Sequence, residues 1–275
     1  MISKHPIGVF DSGLGGLTIL KEITTLLPGY DYIYLGDSAR TPYGPRPFET
    51  VYEYTLQAVR WLFDQGCPLV ILACNTASAK ALRTIQQKDL PLIDPDRRVL
   101  GVIRPTTEVI GDYTETGHIG ILGTQGTVES GSYKIEIGKF FPDVKLYQQA
   151  CPDWVPLVES GRYLEPDAAP IIKSCLDKLI EQSIYIDTIL LACTHYPLLI
   201  DLIKSQLTAP IQVISQGEII ATSLKYYLER HPGMTSSISE GGMVNFYTTG
   251  DPVDFGAKAS LFWGEAVQAT QIQLC

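Results

Sequence analysis

Two cysteines stand where a thiol could do chemistry. Cys74 follows the apolar run 69–73, Cys193 follows the apolar run 186–192, and polar residues come directly after each cysteine. In open parallel sheets the ligand crevice lies at the carboxyl ends of the strands. A helix that begins there lowers the pKa of a thiol from about 8.5 towards neutral pH. We therefore interpret both cysteines as candidate bases or nucleophiles.

The two thiols stand at matching points of two similar strings, 72–76 and 191–195. If the two halves of the chain pack face to face, one thiol lies on each side of a bound substrate. Taking a proton from one face of a carbon and returning one to the other face inverts a stereocentre. The pair is thus better suited to proton transfer than to a disulfide, which needs bonded sulfurs.

The remaining cysteines read as structural. Cys67, Cys151 and Cys175 are interpreted as small core residues, and Cys275 is terminal. Cysteines without close paired spacing are typical of a reducing compartment, where thiols stay free.

A glycine-rich segment, 11–16, follows the first apolar run and opens a predicted helix. Its backbone amides and the Ser12 hydroxyl suit a carboxylate or an amine-bearing ligand, whereas Asp11 and Ser12 could also act as a helix N-cap. A dinucleotide loop fits poorly. Thr18 stands where a third glycine or alanine is needed, and Asp11 would repel a pyrophosphate.

Polar residues follow other predicted strands as well. Tyr43 and Gly44 could present backbone amides to a carboxylate or form a proline turn, and Thr124 and Thr127 could be ligands or helix caps. His195 could assist proton transfer or cap a turn. Cys-x-His without a second ligand pair does not predict a metal site.

Short apolar runs alternate with stretches of helical apolar spacing, which predicts an α/β protein with parallel sheets. The expected helices cover residues 16–27, 47–64 and 166–182. The expected strands cover residues 7–10, 31–35, 69–73, 99–103, 119–122, 188–192 and 212–214.

The chain also nearly repeats itself, because residues 7–13 resemble residues 119–125 in addition to the match around the cysteines. Two matches in the same order favour duplicated α/β domains. We expect a first domain of residues 1–104 plus 211–275, with the 212–214 strand in its sheet. The second domain covers residues 105–210, and the junction lies at the proline of Ile103-Arg104-Pro105.

Composition excludes several classes of protein. Lys and Arg number 21 against 30 Asp and Glu, and a net charge of −9 disfavours nucleic acid as a partner. No apolar run reaches the roughly 20 residues of a membrane-spanning helix, and the first residues do not resemble a signal peptide. We expect a cytoplasmic protein with a small-molecule substrate.

Five strings together resemble the glutamate racemases, within the wider aspartate and glutamate racemase superfamily. They are Asp11-Ser12-Gly13-Leu14-Gly15-Gly16, Pro42-Tyr43-Gly44, Cys74-Asn75-Thr76-Ala77-Ser78, Val155-Pro156-Leu157-Val158-Glu159 and Cys193-Thr194-His195-Tyr196-Pro197. The resemblance spans most of the chain. It implies two flavodoxin-like doubly wound domains related by a pseudo-twofold axis, with the active site in the cleft between them. It further implies no cofactor, production of D-glutamate for peptidoglycan, and a possible homodimer.

The resemblance also assigns roles by position. Cys74 would take the α-proton of D-glutamate and Cys193 that of L-glutamate, with Asp11 and His195 assisting the thiols and Glu159 as a further acid. The substrate-binding residues it implies are Asp11, Ser12, Tyr43, Gly44, Asn75, Thr76, Thr124, Thr127, Thr194 and His195. One departure is Ser215-Gln216-Gly217, where the family commonly has Asp-Ser-Gly. It puts a local hydrogen bond in doubt.

Three alternatives stay open. The substrate could be aspartate or a related diacid, or the protein could be a thiol hydrolase that uses Cys193 and His195 as nucleophile and base. A two-domain binding module without activity also fits the fold class. Pyridoxal chemistry is not indicated, because no lysine stands at a strand end with polar neighbours.

Overall fold

The computed structural model describes residues 4–275, which form two parallel β-sheets flanked by helices. The strands are β1 Ile7–Asp11, β2 Tyr32–Gly36, β3 Leu69–Leu72, β4 Arg98–Gly101, β5 His118–Gly123, β6 Lys145–Ala150, β7 Thr188–Ala192, β8 Gln212–Ile214, β9 Val244–Thr248 and β10 Ala269–Gln271.

In the described part of the chain, residues 4–275, fourteen α-helical segments connect the strands. They are α1 Leu17–Leu26, α2 Phe48–Asp64, α3 Asn75–Lys80, α4 Leu82–Thr84, α5 Leu90–Ile93, α6 Ile103–Thr107, α7 Gln125–Glu129, α8 Ser132–Phe140, α9 Trp154–Glu159, α10 Ala168–Ile180, α11 Ile200–Gln206, α12 Gly217–Arg230, α13 Pro232–Ser236 and α14 Pro252–Trp263. No helix within residues 4–275 has both the length and the apolar character needed to cross a membrane.

The two sheets share one strand order. The first sheet runs β10-β9-β2-β1-β3-β4 and the second runs β6-β5-β7-β8, with parallel pairing throughout both. The four strands β2-β1-β3-β4 thus match β6-β5-β7-β8 position by position. The α/β fold class with two doubly wound parallel sheets is confirmed, and the shared order is what duplicated halves would produce.

Burial explains why the expected strands read as continuous apolar runs. Every residue of β1, β2, β3 and β7 is buried, because helices cover both faces of a parallel sheet. Helix α1 packs on the sheet through Leu17, Leu20 and Ile23, which lie on one helix face. The three expected helices are confirmed as α1, α2 and α10.

Three strands were not expected from the sequence. β6, β9 and β10 carry polar and partly exposed residues, because β6 and β10 lie at sheet edges and β9 lies next to an edge. Half-buried strands of this kind lack the continuous apolar run that marks the central ones.

The expected place of residues 212–214 in the first sheet is wrong, because β8 pairs with β7 in the second sheet. After α11 the chain still lies on the second domain, and a short connection reaches the free side of β7. The chain then returns, with α12 packed on α1 and β9 paired with β2. We therefore propose that the second domain extends to residue 214 rather than 210.

The junction at which the chain leaves the first domain also differs from the expected end of a strand at Pro105. β4 ends at Gly101, and Ile103–Thr107 forms α6, so that Pro105 lies in the first turn of a helix instead of ending a strand. Proline is tolerated there because the first turn of a helix has no partner for its N–H groups.

The expectation of free thiols at Cys151 and Cys175 is wrong, because the structure joins them in a disulfide. Cys151 follows β6, and Cys175 lies on α10, which packs against β6. Their sequence separation of 24 hid this proximity in the sequence. Cys67, Cys74, Cys193 and Cys275 are free, and Cys67 is buried in the core as expected.

Replacement of Leu179 tests the core of the second domain. Its side chain is fully buried and faces Gly120 of β5, where a Cβ would lie 2.7 Å from Leu179 Cδ2. We expect Leu179→Ala to destabilise the protein by about 2–5 kcal/mol, the range for a leucine deleted from a packed core. Urea unfolding measures this change. Leu164, which is 75% exposed, provides the control, because Leu164→Ala should leave the urea midpoint unchanged.

Candidate active site

Cys74 and Cys193 occupy equivalent positions at the carboxyl ends of the two sheets. Cys74 lies two residues after β3, and Cys193 lies directly after β7, the strand with the same position in the second sheet. Each thiol is about 95% buried, and both line one cavity of about 220 Å³. The topology therefore brings together two residues that are far apart in the sequence.

Residues from both halves form this cavity. It is lined by Ser12, Thr41, Pro42, Tyr43, Gly44, Pro45, Cys74, Asn75, Thr76, Thr124, Gln125, Cys151, Pro152, Val155, Pro156, Cys193, Thr194 and His195. Ten of the predicted site residues are in this set. Asp11, Thr127 and Glu159 lie behind it, and each contacts a residue of the wall.

Cys74 is held by hydrogen bonds at the start of α3. Its Sγ lies 3.4 Å from Ser12 Oγ and accepts from the backbone N–H of Ala77 at 3.5 Å. Burial and the charge of Asp11 together raise the pKa of Cys74 to about 12, because these two hydrogen bonds only partly oppose the shift. The expectation that the helix start lowers this pKa is therefore wrong, and Cys74 rests as a neutral thiol.

Cys193 has a basic neighbour instead. The imidazole of His195 forms a hydrogen bond with Cys193, and its Nε2 lies 3.1 Å from Glu159 Oε1. Burial by itself lowers the pKa of His195, but the hydrogen bonds and charges of Cys193 and Glu159 outweigh it and raise the pKa to about 10. A positive charge thus stands beside Cys193 at neutral pH. A 3₁₀ turn, Tyr196–Leu199, follows here and leads directly into α11.

Asp11 connects the two thiol environments. Its fully buried carboxylate accepts from the N–H of Gly13 at 2.9 Å and from the Thr194 hydroxyl at 3.3 Å. Burial raises the pKa of Asp11, although the charge of His195 and these hydrogen bonds oppose it. Asp11 does not cap α1, since Gly16 is the N-cap residue.

Hydrogen bonds between the halves hold the cleft closed. The N–H of Gly126 donates to Gly44 O at 3.1 Å, and the hydroxyls of Thr76 and Thr124 lie 2.9 Å apart. Thr124 also caps α7 by accepting from Thr127 N at 3.3 Å, which is one of the two roles expected for it. A ligand in this cavity is therefore shielded from bulk water.

A buried carboxylate holds the turn that carries Tyr43 and Gly44. Asp37 accepts hydrogen bonds from the Tyr43 hydroxyl, from Arg40 Nε at 2.7 Å and from the Thr249 hydroxyl at 2.7 Å. The hydroxyl of Tyr43 is thus engaged with Asp37.

Sequence reasoning missed part of the cavity wall. Gln125, Cys151 and Pro152 were not expected, and Cys151 is also the site of the disulfide. Gln125 adjoins the predicted Thr124, and Pro152 follows the polar strand β6, which gave no signal of its own. Within residues 4–275, no three His, Cys, Asp or Glu side chains are grouped as metal ligands.

Comparison with known proteins gives consistent matches. The family model described as Asp/Glu/Hydantoin racemase matches residues 7–224. A glutamate racemase of Roseobacter denitrificans is 41% identical over 266 residues, which cover 93% of this chain and 96% of that protein. The crystal structure of a glutamate racemase from Bacillus anthracis has a TM-score of 0.88 at 32% identity and covers 98% of both chains.

A second solved structure is similar and carries a ligand. The glutamate racemase of Francisella tularensis, described in complex with D-glutamate, has a TM-score of 0.87 at 29% identity and covers 98% of both chains.

Closure of the cleft can be tested at Gly15. A Cβ at this position would overlap Thr194 Oγ1 and His195 of the opposite half, whereas a Cβ on Gly29 meets nothing within 4 Å. We expect Gly15→Ala to push the halves apart and to speed alkylation of Cys193 by iodoacetamide severalfold. Peptide mass spectrometry measures the rate. Gly29→Ala is the control, and equal rates in both variants would contradict closure at Gly15.

The raised pKa of Cys74 predicts how the alkylation rate of this thiol depends on pH. Only the thiolate is alkylated, and with a pKa of about 12 its population grows about tenfold for each pH unit below that value. We expect the alkylation rate of Cys74 to climb from pH 7 to pH 10 without a plateau. The rate is followed on the Cys74 peptide by mass spectrometry. A plateau below pH 9 would show that burial does not control this thiol.

Proposed function

The chain belongs to the Asp/Glu/Hydantoin racemase family, and we propose that it interconverts L-glutamate and D-glutamate without a cofactor, with Cys74 and Cys193 as its two bases. One observation carries this proposal: the two free thiols lie at equivalent strand ends of two sheets and line the same cavity. A reaction that works from both faces of one carbon atom needs this arrangement.

In the L to D direction, Cys193 acts as the base. The Cα–H bond of L-glutamate breaks, the thiolate of Cys193 takes the proton to form an S–H bond, and the electron pair stays on the substrate as a carbanion. The S–H bond of Cys74 then breaks and delivers its proton to the opposite face of Cα. The D to L direction reverses both steps, with Cys74 as the base.

The resting protonation states suit this division of labour. The raised pKa of Cys74 keeps a proton on its sulfur, ready for delivery. His195 is positively charged at neutral pH, hydrogen-bonded to Cys193 and held by Glu159. Its positive charge stabilises the negative charge that develops near Cys193 during proton transfer. Asp11, on the other side, stands next to Cys74 and favours the protonated thiol.

Stabilisation of the carbanion must come from fixed dipoles, because the α-proton of an amino acid is much less acidic than a thiol. Ser12, Asn75, Thr76, Thr124 and Thr194 contribute hydroxyl or amide groups to the cavity wall. Dipoles that are already oriented act strongly in a site without water, and the closed cleft excludes it. Opening and closing of the domains is then expected to limit turnover.

The proposal extends to the setting of the enzyme. It supplies D-glutamate for peptidoglycan, works in the cytoplasm and forms a homodimer. The relatives named glutamate racemase support the first point. Cell fractionation tests the location, and sedimentation velocity at micromolar concentration tests the dimer.

Two other activities make different predictions. Aspartate, as a shorter diacid, would be the substrate if its kcat/KM exceeded that of glutamate. A hydrolase that used Cys193 as nucleophile and His195 as base would leave Cys74 dispensable.

Removal of either thiol tests the two-base proposal. We expect Cys74→Ala and Cys193→Ala each to lower kcat/KM for racemisation at least about a hundredfold in both directions, because each reaction needs one base and one acid. The rates are measured by circular dichroism, with L-glutamate and D-glutamate supplied separately to each purified variant. Cys275→Ala, at an exposed site, is the control and should keep full activity. Racemisation or hydrolysis that persisted in Cys74→Ala would contradict the proposal.

A further inference from the structure

A buried glutamine lies behind the cavity, at the place where the sequence departs from Asp-Ser-Gly. Gln216 is 2% exposed and stands between β8 and α12. Its Oε1 accepts from Asn75 Nδ2 at 2.7 Å, and its Nε2 lies 2.9 Å from the Tyr133 hydroxyl. The departure has not removed local hydrogen bonding, because the longer side chain spans the distance to Asn75.

Tyr133 and Asn75 close a triangle with this glutamine. The Tyr133 hydroxyl accepts from Gln216 and donates to Asn75 Oδ1 at 2.6 Å. Each of the three groups both donates and accepts, and hydrogen bonds arranged in this way polarise and strengthen one another. Burial raises the pKa of Tyr133, so its hydroxyl keeps the proton that it donates.

The triangle decides which way the amide of Asn75 points. Its oxygen is occupied by Tyr133, and one of its two N–H groups is occupied by Gln216. An asparagine amide has two N–H donors, and Asn75 lines the cavity. The second N–H is thus left for a ligand. If the amide of Asn75 were flipped, its oxygen would lie against the oxygen of Gln216. The ligand would then meet an acceptor in place of an N–H donor.

Gln216 also contacts residues 102–106, the segment in which the chain first passes from the first domain to the second. Its Nε2 lies 2.8 Å from Thr106 Oγ1 on α6 and 3.2 Å from Val102 O. Residues 102–106 carry the chain out of the first domain, and Gln216 stands where it leaves the second sheet. The side chain of Gln216 therefore links both segments that connect the domains to Asn75 in the cavity wall.

We propose that Gln216 is a positioning residue that, together with Tyr133, holds the Asn75 amide with its free N–H directed at the substrate. This inference rests on the proposed racemase function. The group that accepts from this N–H is a carboxylate of glutamate, because a carboxylate accepts from an N–H and is repelled by an amide oxygen. Gln216 touches no substrate and acts through Asn75 alone.

Replacement by leucine removes both polar ends of Gln216 while keeping a side chain of similar size. We expect Gln216→Leu to lower kcat/KM for glutamate about ten- to a hundredfold in both directions, as for loss of a hydrogen bond to a charged group. Gln86→Leu is the matched control. Its amide donates to Val99 O at 2.7 Å, away from the cavity, and its loss should leave the kinetics unchanged.

A double-mutant cycle separates positioning from a general loss of structure. If Gln216 acts through Asn75, Gln216→Leu has less than about a twofold further effect in an Asn75→Ala background, since residues in one network are not additive. An equally large loss in both backgrounds would overturn the inference. So would wild-type kinetics in Gln216→Leu.

Tyr133→Phe keeps the inference testable should Gln216→Leu fail to fold. It removes only the hydroxyl that donates to Asn75 and retains the buried ring. We expect a loss of kcat/KM of similar size, which again disappears in the Asn75→Ala background. Full activity of Tyr133→Phe would overturn the inference. Failure of the wild-type protein to racemise glutamate, by contrast, would contradict the proposed function itself.

Discussion

Parallel strands that end on a shared cleft are the constraint on which the rest of the molecule depends. β3 and β7 occupy the same position in their sheets, so the residues that follow them, Cys74 and Cys193, reach the cleft from opposite halves. A parallel sheet needs a helical crossover after each strand, and these crossovers supply the walls. The position of each thiol thus follows from topology, while its chemistry follows from its neighbours.

The two thiols have different charged neighbours. Burial raises the pKa of Cys74, and the charge of Asp11 raises it as well. At Cys193 the neighbour is His195, which keeps a positive charge because Cys193 and Glu159 outweigh its own burial. Two residues of the same type therefore rest in different environments. Hydrogen bonds such as that between Gly126 and Gly44 hold the cleft closed, and charges interact more strongly where water is excluded.

The central strands and the cysteines could be predicted because they carry strong local signals. A fully buried strand such as β7 reads as a continuous apolar run, and a polar string follows it. The edge strand β6 gave no such signal, and with it the Cys151–Cys175 pairing was hidden. The assignment of β8 failed because a strand of three residues does not say which sheet it joins.

The site was predicted in its residue types but not in its electrostatics. A local pattern at Cys74 indicates a helix start, which lowers a pKa, but the larger effect comes from burial by residues distant in the chain. The role of Gln216 was hidden for the same reason. Its partners Asn75, Thr106 and Tyr133 belong to three other elements, and only the fold brings them to one amide.

The most direct measurement is the place of deuterium during the first turnovers in D₂O, with L-glutamate and D-glutamate supplied separately. A thiol holds a single proton, so one base takes the substrate proton while the other delivers a solvent-derived deuteron. Two opposed bases therefore place deuterium at Cα of the product enantiomer and leave the remaining substrate unlabelled at early times. Deuterium that appeared equally in substrate and product, in either direction, would point to a single base and contradict the two-thiol mechanism.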